Sequence, residues 1–182
     1  DQIISSNRLM LCLSTDPYSA LEEYAGITGA VDKARIHSIV NGWCSWFYTF
    51  DQISEDEVIR NTEFASRFLK PYGMEYIQID EGFQRRHGDW EGNDRFPHGM
   101  EWLAGKIRSF GLKPGLWIAP YVVSETTSVF ADHPDWLLKN PDGSLKRVGP
   151  WPSEDTDWAK GENPKRYGLD ITHPGAAEWL FD

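Results

Sequence analysis

Strands and helices alternate along most of this chain, and that order restricts the fold more than any other feature of the sequence. Three runs have the pattern of buried strands, and two amphipathic stretches between them have the pattern of helices. The predicted strands are residues 37–43, 74–82 and 112–120, and the predicted helices are residues 54–73 and 100–111. Strand–helix–strand units place their strands parallel, with right-handed crossovers. The sequence therefore predicts an α/β fold built on a parallel sheet.

Local signals set the limits of these and of shorter elements. Ser54 and Glu57 form the S-x-x-E pattern of a capping box, and Gly73 and Gly111 follow the two helices. The shorter predicted elements are a strand at 8–14, a helix at 18–25, a short helix within 124–138, a turn at 140–143, a surface loop at 150–163, an extended run at 167–171 and a helix at 174–181.

Residues at the strand ends distinguish between two parallel-sheet architectures. A doubly wound nucleotide-binding fold would show a glycine-rich phosphate turn after its first strand, and this chain has none there. A (β/α)8 barrel instead places functional residues just past the carboxyl ends of several strands. Such residues follow all three predicted strands: Trp43 and Trp46, Asp80 and Glu81, and Trp117. A closed barrel needs about 250 residues, so the sequence predicts a partial (β/α)8 TIM barrel, its first three or so β/α units.

Composition excludes several classes of partner. Lys and Arg number 18 and Asp and Glu number 28, a net charge of -10 that repels nucleic acid backbones. No apolar run approaches the roughly 20 residues needed to cross a bilayer, so neither nucleic acid nor a membrane is expected as a partner. Cys12 and Cys44 are far apart and lack a CxxC or paired-His pattern, which suggests neither a zinc site nor a disulfide framework. The cellular compartment stays unassigned.

Nine tryptophans are the one unusual feature of the composition. Sugar C–H faces stack on aromatic rings while sugar hydroxyls donate to carboxylates, so an acidic chain with many indoles suits a neutral polyhydroxylated ligand. Trp43, Trp46 and Trp117 recur at strand ends, where one of them can lie under a sugar ring. The alternative is that all three fill the core at the rim of the barrel.

Asp80 and Glu81 are the sharpest candidate site, and three interpretations of the pair stay open. Neighbouring carboxylates at a strand end can both reach one cavity, where donors on a ligand stabilise them as anions. The pair can otherwise be a solvated loop or a helix cap. It can also hold a divalent cation, although no third oxygen or His ligand lies near it. We interpret residues 85–87 as a solvated charge run in preference to a phosphate site. Residues 88–90 either cover the pocket or pack the loop against its own helix.

Several motifs occur in order and with the spacing of one enzyme family. They are GWCSWFYTF at 42–50, EYIQIDEGFQ at 75–84, GDW at 88–90, FPHGMEWLAGKIRSFGLKPGLWIAP at 96–120 and HPDWLL at 133–138. These motifs resemble the melibiase-type α-galactosidases of glycoside hydrolase family 36, whose relatives include raffinose synthases and seed imbibition proteins. The resemblance runs from about residue 9 to the end of the sequence.

The resemblance implies a domain organisation. It places a β-sandwich before a (β/α)8 catalytic domain. Residues 1–35 would be the last strand and linking helix of that sandwich, and residues 36–182 the amino-terminal part of the barrel. Because the sequence stops inside an apolar run, we expect it to be a segment of a longer polypeptide.

The resemblance also implies a subsite for a terminal α-galactose. The paired acids would hold its 4- and 6-hydroxyls, the indoles would wall the ring, and a basic residue would contact the sugar. The expected substrate-binding residues are Asp80, Glu81, Trp46, Trp117, Trp43 and Arg166, with Lys165 as the alternative to Arg166. The usual pair in the family is Asp-Asp. The extra methylene of Glu81 moves its carboxylate about 1.5 Å outward, which puts the preference for plain galactose in question.

The chemistry implied by the resemblance is retaining hydrolysis, with an Asp nucleophile and a second Asp as acid and base. Neither Asp has a counterpart in this sequence, so no catalytic residue is assigned and this segment alone is expected to be inactive. No metal or organic cofactor is expected, and a small-molecule α-galactoside is the expected partner, with a homo-oligomer of the full-length protein left open. Two alternatives to the hydrolase stay open: a galactosyltransferase of the raffinose-synthase type and a non-catalytic carbohydrate-binding protein.

Overall fold

The computed structural model describes residues 9–35, 39–148 and 165–181. Contacts divide the chain into two units, Asp1–Ile39 and Val40–Asp182. The predicted surface loop at 150–163 and residues 37 and 38 of the first predicted strand lie outside the described residues.

In its described residues, the first unit contains one helix, α1 (Pro17–Val31). Asp16 caps it, because its carboxylate accepts hydrogen bonds from two backbone N–H groups of the first turn at 3.1 and 3.3 Å. The predicted helix at 18–25 was too short. Gly26 has open space around it and continues the helix, since a single glycine weakens a helix by only about 1 kcal/mol.

The predicted strand at residues 8–14 does not form in the described part of the chain. Residues 9–14 adopt no strand, and the side chains of Leu9, Leu11 and Leu13 are all more than four-fifths exposed. A strand needs a neighbour that satisfies its backbone groups, and no described segment pairs with these residues. The apolar run alone was therefore insufficient evidence, and the β-sandwich stays a prediction.

The second unit contains the predicted parallel sheet. Its helices and strands are β1 (Gly42–Cys44), α2 (Trp46–Thr49), α3 (Glu55–Phe64), β2 (Tyr76–Ile79), β3 (Gln84–Arg86), β4 (Asp89–Gly92), α4 (Gly99–Ser109), β5 (Lys113–Leu116), β6 (Val122–Ser124), α5 (Ser128–Asp132), β7 (Arg166–Gly168) and α6 (Pro174–Phe181). Strands β1, β2 and β5 pair in parallel in the order β1-β2-β5. The three predicted strands and their parallel pairing are confirmed.

Helices α3 and α4 form the two crossovers between these strands. At the start of α3, Ser54 Oγ accepts a hydrogen bond from the N–H of Glu57 at 3.3 Å, as the capping box predicts. The helix continues as a π-helical turn (Ala65–Leu69) and a 3-10 turn (Lys70–Tyr72). It ends at Gly73, whose φ of 97° suits a residue without a side chain.

The main core lies between β2 and the crossover helices. Ile77 and Ile79 of β2 pack with Val58 of α3 and with Leu103 and Ile107 of α4, and each of the five is at most 3% exposed. Alternate residues of the strand and residues four apart on α4 thus face the same interior. This packing fixes β2 and, with it, the direction in which its carboxyl end points.

Two antiparallel ribbons were not predicted. Strand β3 pairs with β4 in the segment that the sequence indicates only as polar, and β6 pairs with β7 across a long stretch of chain. A second apolar cluster supports β6 and β7. Its buried members are Val123, Val129, Leu137, Leu169 and Ala176. The ribbons add to the carboxyl end of the sheet, where the candidate site lies.

The parallel sheet with its crossover helices confirms the α/β class. Closure into a (β/α)8 barrel and the division at residues 35 and 36 stay predictions. Among the described helices, none combines the length and the apolar character needed to span a membrane.

Candidate functional site

The candidate residues lie along the carboxyl edge of the parallel sheet. Backbone hydrogen bonds continue past the strands, from Ser45 N to Gln78 O at 3.2 Å and from Trp117 N to Ile79 O at 2.9 Å. The ends of β1, β2 and β5 are therefore level with each other. This alignment places Trp46 two residues beyond β1, and Asp80 and Trp117 one residue beyond β2 and β5.

Asp80 is half-buried and held from several sides. Its backbone N–H donates to Ser45 Oγ at 2.9 Å, and its Oδ1 accepts from the N–H of Glu81 at 2.9 Å. Its Oδ2 accepts from Gln78 Nε2 at 2.9 Å and from the Cys44 thiol at 3.4 Å. Three donors from neighbouring residues thus hold the Asp80 carboxylate in place.

Cys44 acts as a neutral donor in this arrangement. Burial raises the pKa of its thiol above the ordinary value, and the hydrogen bond to Asp80 and the charge of that residue raise the pKa further. A thiol with a raised pKa is a poor nucleophile.

Glu81 differs from Asp80 in being fully buried. Its side chain is 1% exposed, and its Oε1 lies 3.2 Å from Nε2 of His87, which is 3% exposed. Arg166 is 6% exposed. Burial lowers the pKa of its guanidinium, and the charge of Glu81 partly opposes that effect. Glu81, His87 and Arg166 thus form a buried charge cluster.

Gly82 shapes the turn that follows the acid pair. Its φ is 110°, and a Cβ at this position would lie 2.4 Å from the carbonyl oxygen of Asp51. The carbonyl oxygen of Gly82 accepts from Asn93 Nδ2 at 2.7 Å and from the Arg95 guanidinium at 2.6 Å. Only glycine fits this close approach, so the turn fixes where the acids stand.

The aromatic candidates occupy different surroundings. Trp117 contacts His87 and Trp90 edge to face, with ring centroids 6.1 and 6.5 Å apart. Trp46 contacts Phe50 in the same manner at 5.5 Å. Trp43 packs against the main core. Trp46 and Trp117 therefore have partly exposed indoles after the two strands that flank β2, and Trp43 faces a more apolar environment.

His87 is the residue of this site that sequence analysis did not single out. It was grouped with Arg85 and Arg86 in a solvated charge run, and those two residues are indeed exposed. His87 lies in the turn between β3 and β4 and is buried by its contacts with Glu81, Trp90 and Trp117. Gly88, which follows the charged residues 85–87, was a sequence signal for this turn. Its φ is 87° in the structure.

Two further observations limit the chemistry of the site. An open cavity of about 620 Å³ lies beside the β3–β4 hairpin, with charged lining residues such as Arg85, Asp89 and Arg95, and it does not include Asp80. Among residues 9–35, 39–148 and 165–181, no three His, Cys, Asp or Glu side chains are arranged to hold a metal ion.

Comparison with known proteins identifies the family. Residues 27–148, about two thirds of the chain, match the sequence model of the melibiase family. The chain belongs to the melibiase family. Its membership confirms the resemblance seen in the motifs at the strand ends.

Curated relatives and solved structures that are similar to this melibiase-family chain are α-galactosidases. The chain is 30% identical over 111 residues to α-galactosidase AgaA of Geobacillus stearothermophilus, covering 57% of this chain and 14% of that protein. It is 31% identical over 111 residues to α-galactosidase Mel36A of Lactobacillus acidophilus, with the same coverages. The structure of TtGalA, an α-galactosidase from Thermus thermophilus in complex with stachyose, is similar with a TM-score of 0.66 and 37% identity. That match covers 80% of this chain and 29% of the Thermus chain.

This melibiase-family chain thus spans about one seventh of the length of those two curated relatives. The family accounts for the α/β fold with its parallel sheet. The AgaA structure, at 24% identity and a TM-score of 0.58, supports the fold alone.

Proposed function

We propose that this chain supplies the sugar-binding edge of a retaining α-galactosidase that removes terminal α-linked galactose from oligosaccharides. One observation carries the proposal: Trp46, Asp80 and Trp117 follow the carboxyl ends of three adjacent strands of the sheet. Carboxylates accept hydrogen bonds from sugar hydroxyls, and indoles pack on the apolar faces of sugar rings. The similar Thermus enzyme was solved with p-nitrophenyl α-D-galactopyranoside and with stachyose.

Each site residue has a role in this proposal. Asp80 accepts hydrogen bonds from hydroxyls of the galactose, and Trp46 and Trp117 wall its ring. Trp43 supports the edge from the core side, and Arg166 supplies the positive charge close to the acid pair. Glu81 contributes the second carboxylate of the pair.

The covalent chemistry belongs to residues outside these 182. In a retaining glycosidase, two carboxyl groups about 5–5.5 Å apart act as nucleophile and as acid and base. Asp80 and Glu81 are engaged by their neighbours and are not assigned either role. The proposal includes the closed (β/α)8 barrel, with residues 36–182 as its first part and residues 1–35 as the end of a preceding β-sandwich.

Hydrolysis of p-nitrophenyl α-galactoside by the full-length protein tests this function. Asp80→Asn should lower kcat/KM on the order of 100-fold, since hydrogen bonds to charged groups contribute about 1.5–3 kcal/mol each. Asp56→Asn, at an exposed position of α3, is the matched control and should leave kcat/KM unchanged. Galactoside binding without turnover would favour a carbohydrate-binding protein, and transfer to a sugar in preference to water would favour a galactosyltransferase.

A further inference from the structure

Glu81 is buried just beyond the end of β2, whereas its neighbour Asp80 is half-exposed. Within β2, Ile77 and Ile79 are buried and Tyr76 and Gln78 are half-exposed, which is the period of two that a strand imposes on its side chains. Asp80 and Glu81 follow the last strand residue, and they differ in exposure although they are neighbours in sequence.

Two buried side chains, His87 and Arg166, interact with the Glu81 carboxylate. His87 Nε2 is 3.2 Å from Glu81 Oε1, and both residues are at most 3% exposed. The charge of Glu81 raises the pKa of the buried Arg166 guanidinium, against the effect of burial. A buried guanidinium without a counter-ion is costly, so the carboxylate balances Arg166 as well as contacting the imidazole.

This cluster joins three parts of the carboxyl edge. Glu81 follows β2, His87 is in the turn between β3 and β4, and Arg166 belongs to β7. The carbonyl oxygen of His87 also accepts a hydrogen bond from Ser124 N at 2.9 Å, and Ser124 of β6 is the register partner of Arg166. The Glu81, His87 and Arg166 side chains and the backbone hydrogen bonds of His87 and Ser124 thus link the same three segments.

The imidazole of His87 also contacts the proposed sugar wall. Its ring meets the Trp117 indole edge to face at 6.1 Å and the Trp90 indole in the same way at 6.1 Å. We propose that Glu81 is a positioning residue and not a sugar ligand: with Arg166 it fixes His87, and through His87 it fixes the Trp117 indole beside Asp80. The inference rests on the proposed function, because it assigns roles within that subsite.

Deoxy sugars distinguish a ligand from a positioning residue. If Glu81 accepted a hydrogen bond from the 4- or 6-hydroxyl of galactose, removing that hydroxyl would remove most of the effect of Glu81→Gln. If Glu81 acts through His87 and Trp117, the effect persists on every analogue. Asp80→Asn serves as the comparison, because its effect should shrink when its own hydroxyl partner is missing.

The experiment measures kcat and KM of the full-length protein for p-nitrophenyl α-galactoside and for its 4-deoxy and 6-deoxy analogues. Glu81→Gln should raise KM on the order of tenfold, by the same factor on all three substrates, with a smaller change in kcat. His87→Gln should act similarly, and the double variant should be no worse than either single variant. Glu91→Gln, on the exposed side of β4, is the matched control and should change nothing.

Each outcome either supports or overturns the positioning role of Glu81. A Glu81→Gln effect that vanishes on one deoxy analogue overturns the inference, as does an unchanged KM. If Glu81→Gln does not fold, the same comparison on His87→Gln decides, and equal affinities of His87→Gln and wild type overturn the inference. Failure of the wild-type protein to bind any α-galactoside overturns the proposed function itself, whereas binding with a hydroxyl-specific Glu81 effect overturns only the positioning role.

Discussion

The backbone N–H of Asp80 donates a hydrogen bond to Oγ of Ser45 over 2.9 Å, and the Ser45 side chain is fully buried. The N–H of Ser45 in turn donates to the carbonyl oxygen of Gln78 at 3.2 Å. These bonds join the ends of β1 and β2 just beyond their last paired residues. The neighbouring strand, together with the turn after β2, therefore sets the position of Asp80.

Ser45→Ala tests this link. The change removes the acceptor of the Asp80 N–H and should lower the free energy of unfolding by about 1–2 kcal/mol. Affinity for an α-galactoside should fall as well, because Asp80 loses an anchor. Urea unfolding and calorimetric titration of the full-length protein measure the two effects. Ser109→Ala, at an exposed position of α4, should change neither, and equal behaviour of the two variants would contradict the link.

The turn after the acid pair should tolerate no side chain at Gly82. Gly82→Ala combines a φ of 110° with a Cβ placed 2.4 Å from the Asp51 carbonyl oxygen, so it should destabilise the fold by about 3 kcal/mol or more. Gly105→Ala in α4 has open space and a helical backbone, and it should stabilise by about 0.5–1 kcal/mol. Chemical denaturation of both variants provides the measurement. Similar stabilities would refute the packing described for this turn.

Cys44 should report on the charge of Asp80. Its thiol pKa is raised, first by burial and then by Asp80, so less thiolate is present at a given pH than in an ordinary cysteine. The rate of alkylation of Cys44 by iodoacetamide should therefore reach half its maximum at a pH above the usual value of about 8.5. In Asp80→Asn this midpoint should fall, because the negative charge is gone. A midpoint that does not move would contradict the contact between the two side chains.

The cap of α1 should weaken in acid. The hydroxyl of Ser19 and then the N–H of Tyr18 lower the pKa of Asp16 from its ordinary value. A group with a depressed pKa in the folded state stabilises that state above its unfolded pKa, near 3.9, and loses the effect as pH falls through the lower folded value. The amide proton shifts of Tyr18 and Ser19 should therefore titrate below about pH 4. In Asp16→Asn, which keeps a neutral cap, this titration should disappear.

The parallel sheet was predictable because its signals are local. Ile77 and Ile79 give β2 the apolar alternation of a strand, and Ser54 and Gly73 mark the ends of the crossover helix between β1 and β2. The acids and indoles could be placed at one edge because the carboxyl ends of parallel strands meet there. Sequence order alone was enough for that step.

The burial of Glu81 and His87 was not predictable in the same way. It depends on Arg166, 85 positions beyond Glu81 in the chain, and on the pairing of β6 with β7. No local pattern specifies a contact between a hairpin turn and a distant strand. The same limit explains the strand wrongly predicted at residues 8–14, whose apolar pattern says nothing about whether a partner strand is available.

Residues that pack in the core alternate along β2 with residues that are half-exposed. Positions 77 and 79 are filled by core isoleucines, while Gln78 and Asp80 point to the other side. Libraries randomised at 46, 80 and 117 would therefore sample new ligands without rebuilding the hydrophobic interior. Position 81 does not share that freedom, because any replacement there must also accommodate a buried arginine.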